Sequence, residues 1–232
     1  MNNHLHDLDD LERAIYAEVS SQVAQSPESI AQTSRAVRYL VENDIAGDFV
    51  ECGVFMGASI VCMIRTLQYF IGAKPRDIWL YDTFEGMPEQ NPELDVFHDP
   101  TQYPLWDQIK RDDGSGGSNW VHGPIDSVKA NVNRTGYPED RLKYIKGMVE
   151  HTLPLYMPWE IALLRLDTDY YSSTKHELEN LYQRVVSGGV IIIDDYGAFK
   201  GCKQAVDEYI RENGLKVLLS RIDEHVRMWV KP

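Results

Sequence analysis

The sequence predicts an α/β protein whose mostly parallel, doubly wound sheet carries helices on both faces. Two observations support this prediction. Strand-like and helix-like segments alternate through five units from Asp48 onward, which is typical of a parallel sheet with crossover helices. Two further apolar runs near the C-terminus, separated by Asp223 and Glu224, indicate a terminal antiparallel pair.

Apolar periodicity and turn residues define each element of this sheet. The parallel strands are predicted at DFVECG (48–53), DIWLYD (77–82), RLKYIKG (141–147), IALLRLD (161–167) and GGVIIIDD (188–195). The connecting helices are predicted at GASIVCMIRTLQYFIG (57–72), DSVKANVNRTG (126–136), SSTKHELENLYQRV (172–185) and CKQAVDEYIREN (202–213). The terminal pair is predicted at KVLLSRI (216–222) and HVRMWV (225–230).

The residues before the first strand are predicted to be helical from Leu5 to Leu40. Apolar residues recur there at spacings of three and four, which places them on one helical face; they are Leu8, Leu11, Ile15, Val19 and Val23. Pro27, within SPES, is suited to the first turn of a second helix. We expect residues 1–47 to form a helical lid or an oligomer contact, and residues 48–232 to form the main domain.

Composition and charge exclude several classes of protein. The chain has 36 acidic and 23 basic residues, so its net charge of −13 disfavours nucleic acid and anionic lipid as partners. No apolar run reaches the roughly 18 residues of a membrane span. The N-terminal MNNHLHDLDDLE lacks the features of a signal peptide, so we expect a cytoplasmic protein. Cys52, Cys62 and Cys202 are too widely spaced to indicate zinc or a disulfide framework, and we expect buried thiols.

A glycine-containing turn, Glu51–Ser59, follows the first predicted strand. Its glycines, Gly53 and Gly57, allow a sharp turn and close approach of a ligand, although packing alone would also explain them. The dinucleotide fingerprint is absent, and Glu51 would repel a pyrophosphate. Asp82, at the end of the second strand, lies where doubly wound folds bind ribose hydroxyls, although it could equally cap a helix. S-adenosylmethionine satisfies both requirements, because it carries a ribose and two positive charges.

An acidic cluster is predicted at the ends of the fourth and fifth strands. Asp167 ends one strand, Asp194 and Asp195 end the other, and Asp169 follows two residues after Asp167. If the strands are neighbours, about 5 Å apart, these carboxylates converge. With no Lys or Arg expected nearby, oxygen ligands of this kind favour Mg²⁺, Ca²⁺ or Mn²⁺, although helix caps or a solvated loop remain the alternative.

A metal at this cluster would lower the pKa of a substrate hydroxyl, and a nearby carboxylate could accept its proton. The resulting oxygen would then attack the methyl group of a sulfonium. Arg165 interrupts the apolar run of the fourth strand, where an unpaired charge is costly. We therefore expect a carboxylate partner for Arg165 and assign it no catalytic role.

Taken together, five motifs resemble the macrocin O-methyltransferase family, whose members are metal- and S-adenosylmethionine-dependent sugar O-methyltransferases of antibiotic biosynthesis. The motifs, which occur in family order between Asp48 and Pro232, are DFVECGVFMGAS, LYDTFEGMPE, GYPEDRLKYIKGMVEHTLP, LLRLDTDYYSST and GGVIIIDDYGAFKGCKQAVDEY. The resemblance implies a Rossmann-like class I methyltransferase domain at 48–232. It also implies a seven-stranded sheet whose last strand is antiparallel, and an N-terminal helical lid.

The resemblance also implies roles for individual residues. The predicted cofactor-binding residues are Glu51 and Gly53 at the methionine end, Asp82 at the ribose, and Val149 and Glu150 beside the adenine. Gly57 and Ser59, in the same turn as Gly53, are also predicted to bind the cofactor. Asp167, Asp194 and Asp195 match the metal ligands, and Asp169 matches the position of the general base. The family commonly has Asp-Gly-Asp where this chain has Asp167-Thr168-Asp169, so Thr168 adds bulk beside the base.

These observations predict an enzyme that methylates a sugar hydroxyl of a glycosylated small molecule. A catechol or another vicinal diol is an alternative acceptor, because two adjacent oxygens could chelate the metal. A nucleotide-sugar transferase, suggested by the D-x-D pattern, and a non-catalytic nucleoside-binding module are further alternatives. We expect acceptor contacts in Glu85–His122, with His98, Trp106, Trp120 and His122 as candidates, and we expect a homo-oligomer, a dimer or higher.

Overall fold

In this computed structural model, the described residues are 6–22, 24–99, 101, 106–114 and 116–232. Leu5 and Val23, which the sequence pattern assigns to the N-terminal helical segment, lie outside them. The strands lie at Asp48–Cys52 (β1), Ile78–Asp82 (β2), Leu142–Lys146 (β3), Ile161–Leu166 (β4), Val185–Ile193 (β5), Ser220–Arg221 (β6) and Arg227–Val230 (β7).

These strands form one seven-stranded sheet in the order β3-β2-β1-β4-β5-β7-β6. β1 to β5 pair in parallel, and β7 is antiparallel to both of its neighbours. The predicted mostly parallel sheet is therefore confirmed. The first strand of the terminal pair is much shorter than 216–222, because only Ser220 and Arg221 pair with β7. Leu215, Val217 and Leu219 still pack against the core from one side of this segment.

The helices cover both faces of the sheet, as the alternation predicts. They lie at Asp10–Val19 (α1), Pro27–Glu42 (α2), Ala58–Tyr69 (α3), Trp106–Ile109 (α4), Ile125–Asn133 (α5), Val149–Thr152 (α6), Tyr171–Leu181 (α7) and Lys200–Glu212 (α8). Asp9 and Glu12 form a reciprocal capping box at the start of α1. Ser26 caps α2, with Pro27 in the first turn, so the break predicted at SPES is confirmed. None of the helices in the described residues is long and apolar enough to cross a membrane.

Alternate residues of the strands pack into two hydrophobic clusters, one on each face of the sheet. Val50 of β1 and Leu164 of β4 belong to the cluster that α7 and α8 cover. Phe49 and Leu163 belong to the other cluster, to which α2 contributes Ala36, Val37 and Leu40. α2 is therefore part of the sheet's hydrophobic core. The division of the chain at residue 47 stays a prediction.

The strand order reverses between β1 and β4, since the chain runs outward from β1 to β3 and then returns to the other side of β1. Doubly wound sheets bind ligands at such a switch point, outside the carboxyl ends of the strands. Gly53, just after β1, lies there with a positive φ of 81°. A Cβ at this position would be only 1.7 Å from the carbonyl oxygen of Asp167, so the two loops approach as closely as glycine allows.

Candidate active site

A cavity of about 280 Å³ lies at the switch point. The ends of β1, β2, β4 and β5 contribute to its wall, as does the segment between α1 and α2. Most of the predicted site residues line it; they are Gly53, Asp82, Val149, Glu150, Asp167, Asp169, Asp194 and Asp195. Glu51, Gly57 and Ser59 are not among the described residues that form the wall.

The three predicted metal ligands converge on the wall of this cavity. β4 and β5 are neighbours, and the backbone amide of Asp194 donates to the carbonyl of Leu166 over 2.9 Å. This register brings Asp194 and Asp195 beside Asp167, with one carboxylate oxygen of each within 4.8 Å of the others. The predicted convergence is therefore present. Such a set of oxygen donors is suited to a hard divalent cation.

Arg165 lies at the centre of this acidic cluster and is completely buried. Its Nε donates to Oε1 of Glu51 over 3.0 Å, and its Nη2 donates to Oδ2 of Asp167 over 2.9 Å and to Oδ1 of Asp194. The expected carboxylate partner of Arg165 is confirmed. The expectation that no Lys or Arg lies near the cluster is therefore wrong. β4 lies between β1 and β5, so Arg165 can contact acidic residues on or after both neighbouring strands.

One guanidinium does not neutralise the four carboxyl groups of Glu51, Asp167, Asp194 and Asp195. Burial raises the pKa of Asp167 well above its usual range, and the charge of Asp194 raises it further, against the opposing effect of Arg165. Burial likewise raises the pKa of Asp195, with the neighbouring charge of Asp169 adding to it. A cation between these groups would relieve the repulsion, so the residues fit a divalent metal.

Asp169, the predicted general base, lies beside the cluster in a left-handed backbone conformation, with φ of 67°. Its backbone amide donates to Oδ2 of Asp195 over 3.2 Å. Burial raises the pKa of Asp169 to about 7, while a side-chain hydrogen bond with Asp195 acts to lower it. A carboxylate with a pKa near neutrality is matched to proton transfer at physiological pH.

Thr168 stands where the family commonly has glycine, and its larger side chain contacts α7. Its hydroxyl donates to Oε1 of Glu177 over 3.0 Å, and Glu177 is completely buried. Burial raises the pKa of Glu177 well above its usual range, which favours the neutral acid. Glu177 therefore supports the turn that carries Asp167 and Asp169.

The glycine turn after β1 is held together by two acidic side chains. Oδ2 of Asp82 accepts hydrogen bonds from the backbone amides of Val54 and Phe55, over 2.6 and 3.0 Å, and its Oδ1 accepts one from Phe84 over 2.7 Å. Glu51 accepts a hydrogen bond from the hydroxyl of Ser59 in addition to that from Arg165. Asp82 therefore shapes the turn as well as facing the cavity.

Burial raises the pKa of Glu51 to about 7, although Arg165 and Ser59 both act to lower it. Glu51 and Ser59 thus lie beneath the residues that line the cavity, and their hydrogen bonds connect the glycine turn to Arg165. Gly57 has a positive φ of 84° at the start of α3, and a Cβ there would approach Val132 to 3.2 Å. Gly57 therefore permits helix packing in this structure.

Several residues of the wall had not been identified from the sequence. Gln22 and Gln25 precede α2, and His225 lies in the loop between β6 and β7. No motif or periodicity singles out any of them.

Among the four candidate acceptor contacts, Trp120 lines the cavity; His98, Trp106 and His122 are not among the described wall residues. All three cysteines are free and buried, as expected.

The sheet order, the switch-point cavity and the acidic strand ends define a class I methyltransferase fold. Residues 25–231 match the family model of the macrocin-O-methyltransferases, and the chain belongs to this family. The predicted enzyme class, an S-adenosylmethionine-dependent O-methyltransferase, is thereby confirmed. The alternatives of a nucleotide-sugar transferase and a non-catalytic binding module are not supported by this family membership.

Curated relatives and solved structures agree with this assignment. The chain is 35% identical to a tetracenomycin-C 4'-O-methyltransferase of Streptomyces olivaceus that acts on an 8-demethyl-8-(2,3-dimethoxy-α-L-rhamnosyl) compound, over 83% of this chain and 70% of the relative. It is 27% identical to the mycinamicin III 3''-O-methyltransferase of Micromonospora griseorubida, over 83% of this chain and 72% of that relative. The structure of the O-methyltransferase NovP superimposes with a TM-score of 0.76 at 26% identity, covering 90% of this chain and 82% of that chain.

Proposed function

We propose that this chain transfers a methyl group from S-adenosylmethionine to a hydroxyl on the sugar of a glycosylated natural product, with the help of a divalent metal. The observation that carries the proposal is the convergence of Asp167, Asp194 and Asp195 on a cavity at the switch point. The names of the relatives support a glycosylated antibiotic precursor as acceptor, because the tetracenomycin enzyme is named for a rhamnosyl compound.

S-adenosylmethionine would lie against the turn after β1 and the ends of β2 and β3. Gly53 would allow the methionine end to approach the backbone, and Asp82 would bind the ribose. Val149 and Glu150, at the start of α6, would flank the adenine. Glu51 and Ser59 would act from behind this surface, by holding the turn in place through Arg165.

Asp167, Asp194 and Asp195 would hold Mg²⁺ or another hard divalent cation. When bound there, the cation supplies Lewis acidity that lowers the pKa of a substrate hydroxyl. Asp169 would accept the hydroxyl proton, because its backbone amide lies 3.2 Å from Oδ2 of Asp195, next to the proposed ligands. Trp120 on the cavity wall would pack against a sugar face. Holding acceptor and cofactor in one cavity supplies much of the rate.

The experiment combines titration calorimetry with a methyl-transfer assay on a panel of glycosides, using labelled S-adenosylmethionine and Mg²⁺. We expect S-adenosylmethionine to bind and Mg²⁺ to be required for transfer. Asp194→Asn should abolish transfer with little change in cofactor affinity, and Asp169→Asn should slow transfer. Absence of heat from S-adenosylmethionine would refute the cofactor assignment, and full transfer in EDTA would refute the metal.

A vicinal diol is the second candidate acceptor, because a hard cation held by Asp167, Asp194 and Asp195 would favour chelation by two adjacent oxygens of one substrate. A panel that contains catechols and diol-containing sugars separates the two acceptor classes.

We further propose that the enzyme acts in the cytoplasm and assembles as a homo-oligomer, a dimer or higher. Within residues 1–47 we retain the proposed lid and oligomer-contact role for the part that precedes α2, because α2 itself packs into the core of the methyltransferase domain proposed at 48–232. Light scattering of the purified chain tests the assembly.

A further inference from the structure

We propose that Gln25 is a positioning residue that couples the segment between α1 and α2 to the metal site. This inference rests on the proposed function, since it assumes that Asp167, Asp194 and Asp195 hold a cation. Gln25 lines the cavity, and its side-chain amide Nε2 donates to Oδ2 of Asp167 over 3.0 Å. The two residues are 142 positions apart in the sequence, so this contact exists only in the folded chain.

The contact fixes which oxygen of Asp167 a cation would meet. Oδ2 of Asp167 accepts one hydrogen bond from Gln25 and a second from Nη2 of Arg165, over 3.0 and 2.9 Å. A carboxylate oxygen has two lone-pair sites, and both are occupied in this arrangement. Oδ1 is then the oxygen available to the cation, and the carboxylate is held from two sides. Donors of this kind orient metal ligands in many metalloproteins.

The segment that carries Gln25 is fixed at its next residue. The hydroxyl of Ser26 is hydrogen-bonded to Asp223 in the loop between β6 and β7. Asp223 in turn accepts hydrogen bonds from the backbone amides of His225 and Val226, over 2.8 and 2.7 Å. Gln25 is therefore held between the end of β4 and this loop, which makes it part of the cavity wall.

Gln25 also has an unused acceptor. Its Oε1 is buried and has no hydrogen-bond partner among the described residues. Leaving such an acceptor unpaired is unfavourable. The hydrogen bond to Asp167 is therefore the contact of the Gln25 side-chain amide that the structure defines.

Two consequences follow from this arrangement. Loss of the Gln25 amide should weaken cation binding, because Asp167 would be held from one side only. In the opposite direction, a bound cation should protect the segment, because coupling between two sites is reciprocal. The backbone amides around Gln25 and Ser26 should therefore exchange more slowly when the metal is present.

The test measures Mn²⁺ binding to the full chain by titration calorimetry, in the wild type, Gln25→Met and Gln25→Ala. Gln25→Met keeps the length of the side chain and removes the donor. We expect cation affinity to fall by about tenfold or more in both variants, the range observed when partners of metal ligands are removed. Gln32→Ala is the matched control, because Gln32 belongs to α2 but donates to the sulfur of Met228.

Hydrogen exchange of residues 24–30, with and without Mn²⁺, supplies a second readout. We expect the cation to slow exchange there in the wild type and in Gln32→Ala, and to lose this effect in Gln25→Met. Equal cation affinity and equal protection in the wild type and Gln25→Met would overturn the inference while leaving the metal site intact. A wild type that binds no Mn²⁺ would overturn both the metal assignment and the inference.

Discussion

Nε of Arg165 lies 3.0 Å from Oε1 of Glu51, and both side chains are completely excluded from solvent. The same guanidinium contacts Asp167 and Asp194, while Glu51 accepts a hydrogen bond from Ser59. One buried cation thus connects the turn after β1 to the acidic ends of β4 and β5. In chemical terms, it links the proposed cofactor surface to the proposed metal ligands.

The first prediction concerns Arg165 itself. Arg165→Met would leave Glu51 and two aspartates without their common counter-charge, and breaking a buried ion pair from one side costs about 3–5 kcal/mol. We expect a loss of this size in the free energy of unfolding, measured by urea denaturation without metal. Arg141→Met is the control, since Arg141 forms a partly exposed pair with Asp77 near the surface and its loss should have little effect. Equal stability of the two variants would contradict a central role for Arg165.

The second prediction concerns Asp82, whose two oxygens both accept backbone hydrogen bonds. Asp82→Asn would turn an amide donor toward backbone donors, so we expect the cofactor-free protein to lose about 1–3 kcal/mol in the free energy of unfolding. Cofactor affinity should fall in the same variant, because the turn that faces the cofactor loosens. Weaker binding of S-adenosylmethionine with unchanged stability would instead show that Asp82 acts only as a direct ligand.

The sequence is sufficient to predict the sheet and its acidic rim for a physical reason. The second half of β5, Val190–Ile193, appears as an uninterrupted buried apolar run, and Asp194 follows directly at its carboxyl end. The convergence of Asp167 with Asp194 needed only the assumption that β4 and β5 are neighbours, which the structure confirms.

The position of Arg165 could not be predicted in the same way. Its side chain meets Glu51 because β1 is the other neighbour of β4, and strand order is not encoded in local periodicity. The role of Gln25 is even harder to predict, because a single polar residue between two helices belongs to no motif or periodic pattern. Its partner, Asp167, is defined only when the N-terminal segment packs over the sheet.

The third prediction concerns the close approach of Gly53 to β4. Gly53→Ala would place a Cβ 1.7 Å from the carbonyl oxygen of Asp167, so the loops must separate, and φ of 81° is unfavourable for alanine. We expect a loss of at least about 3 kcal/mol in the free energy of unfolding and weaker cation binding. Gly72→Ala is the control, because Gly72 has a similar φ of 89° and no atom within 4 Å of the added Cβ. Similar losses in both variants would show that backbone strain alone is responsible.

The fourth prediction is a pH dependence that originates in Glu177. The pKa of Glu177 is raised in the folded state, chiefly by burial, whereas the unfolded chain has the ordinary value of about 4.3. Between these two values the folded state binds more protons, so the free energy of unfolding falls as pH rises. The stabilisation is fully present below the unfolded pKa and is lost as pH passes the folded one.

Glu177→Gln tests this directly, because glutamine keeps the shape and can still accept from Thr168 but cannot ionise. Urea denaturation between pH 4 and pH 8, without metal, should show a shallower decline in the variant than in the wild type, with the largest gain at high pH. Glu179→Gln, on the same helix, is the control and should keep the wild-type slope. A slope that is the same in the wild type and Glu177→Gln would mean that Glu177 ionises normally, and that the turn at Thr168 is held by other contacts.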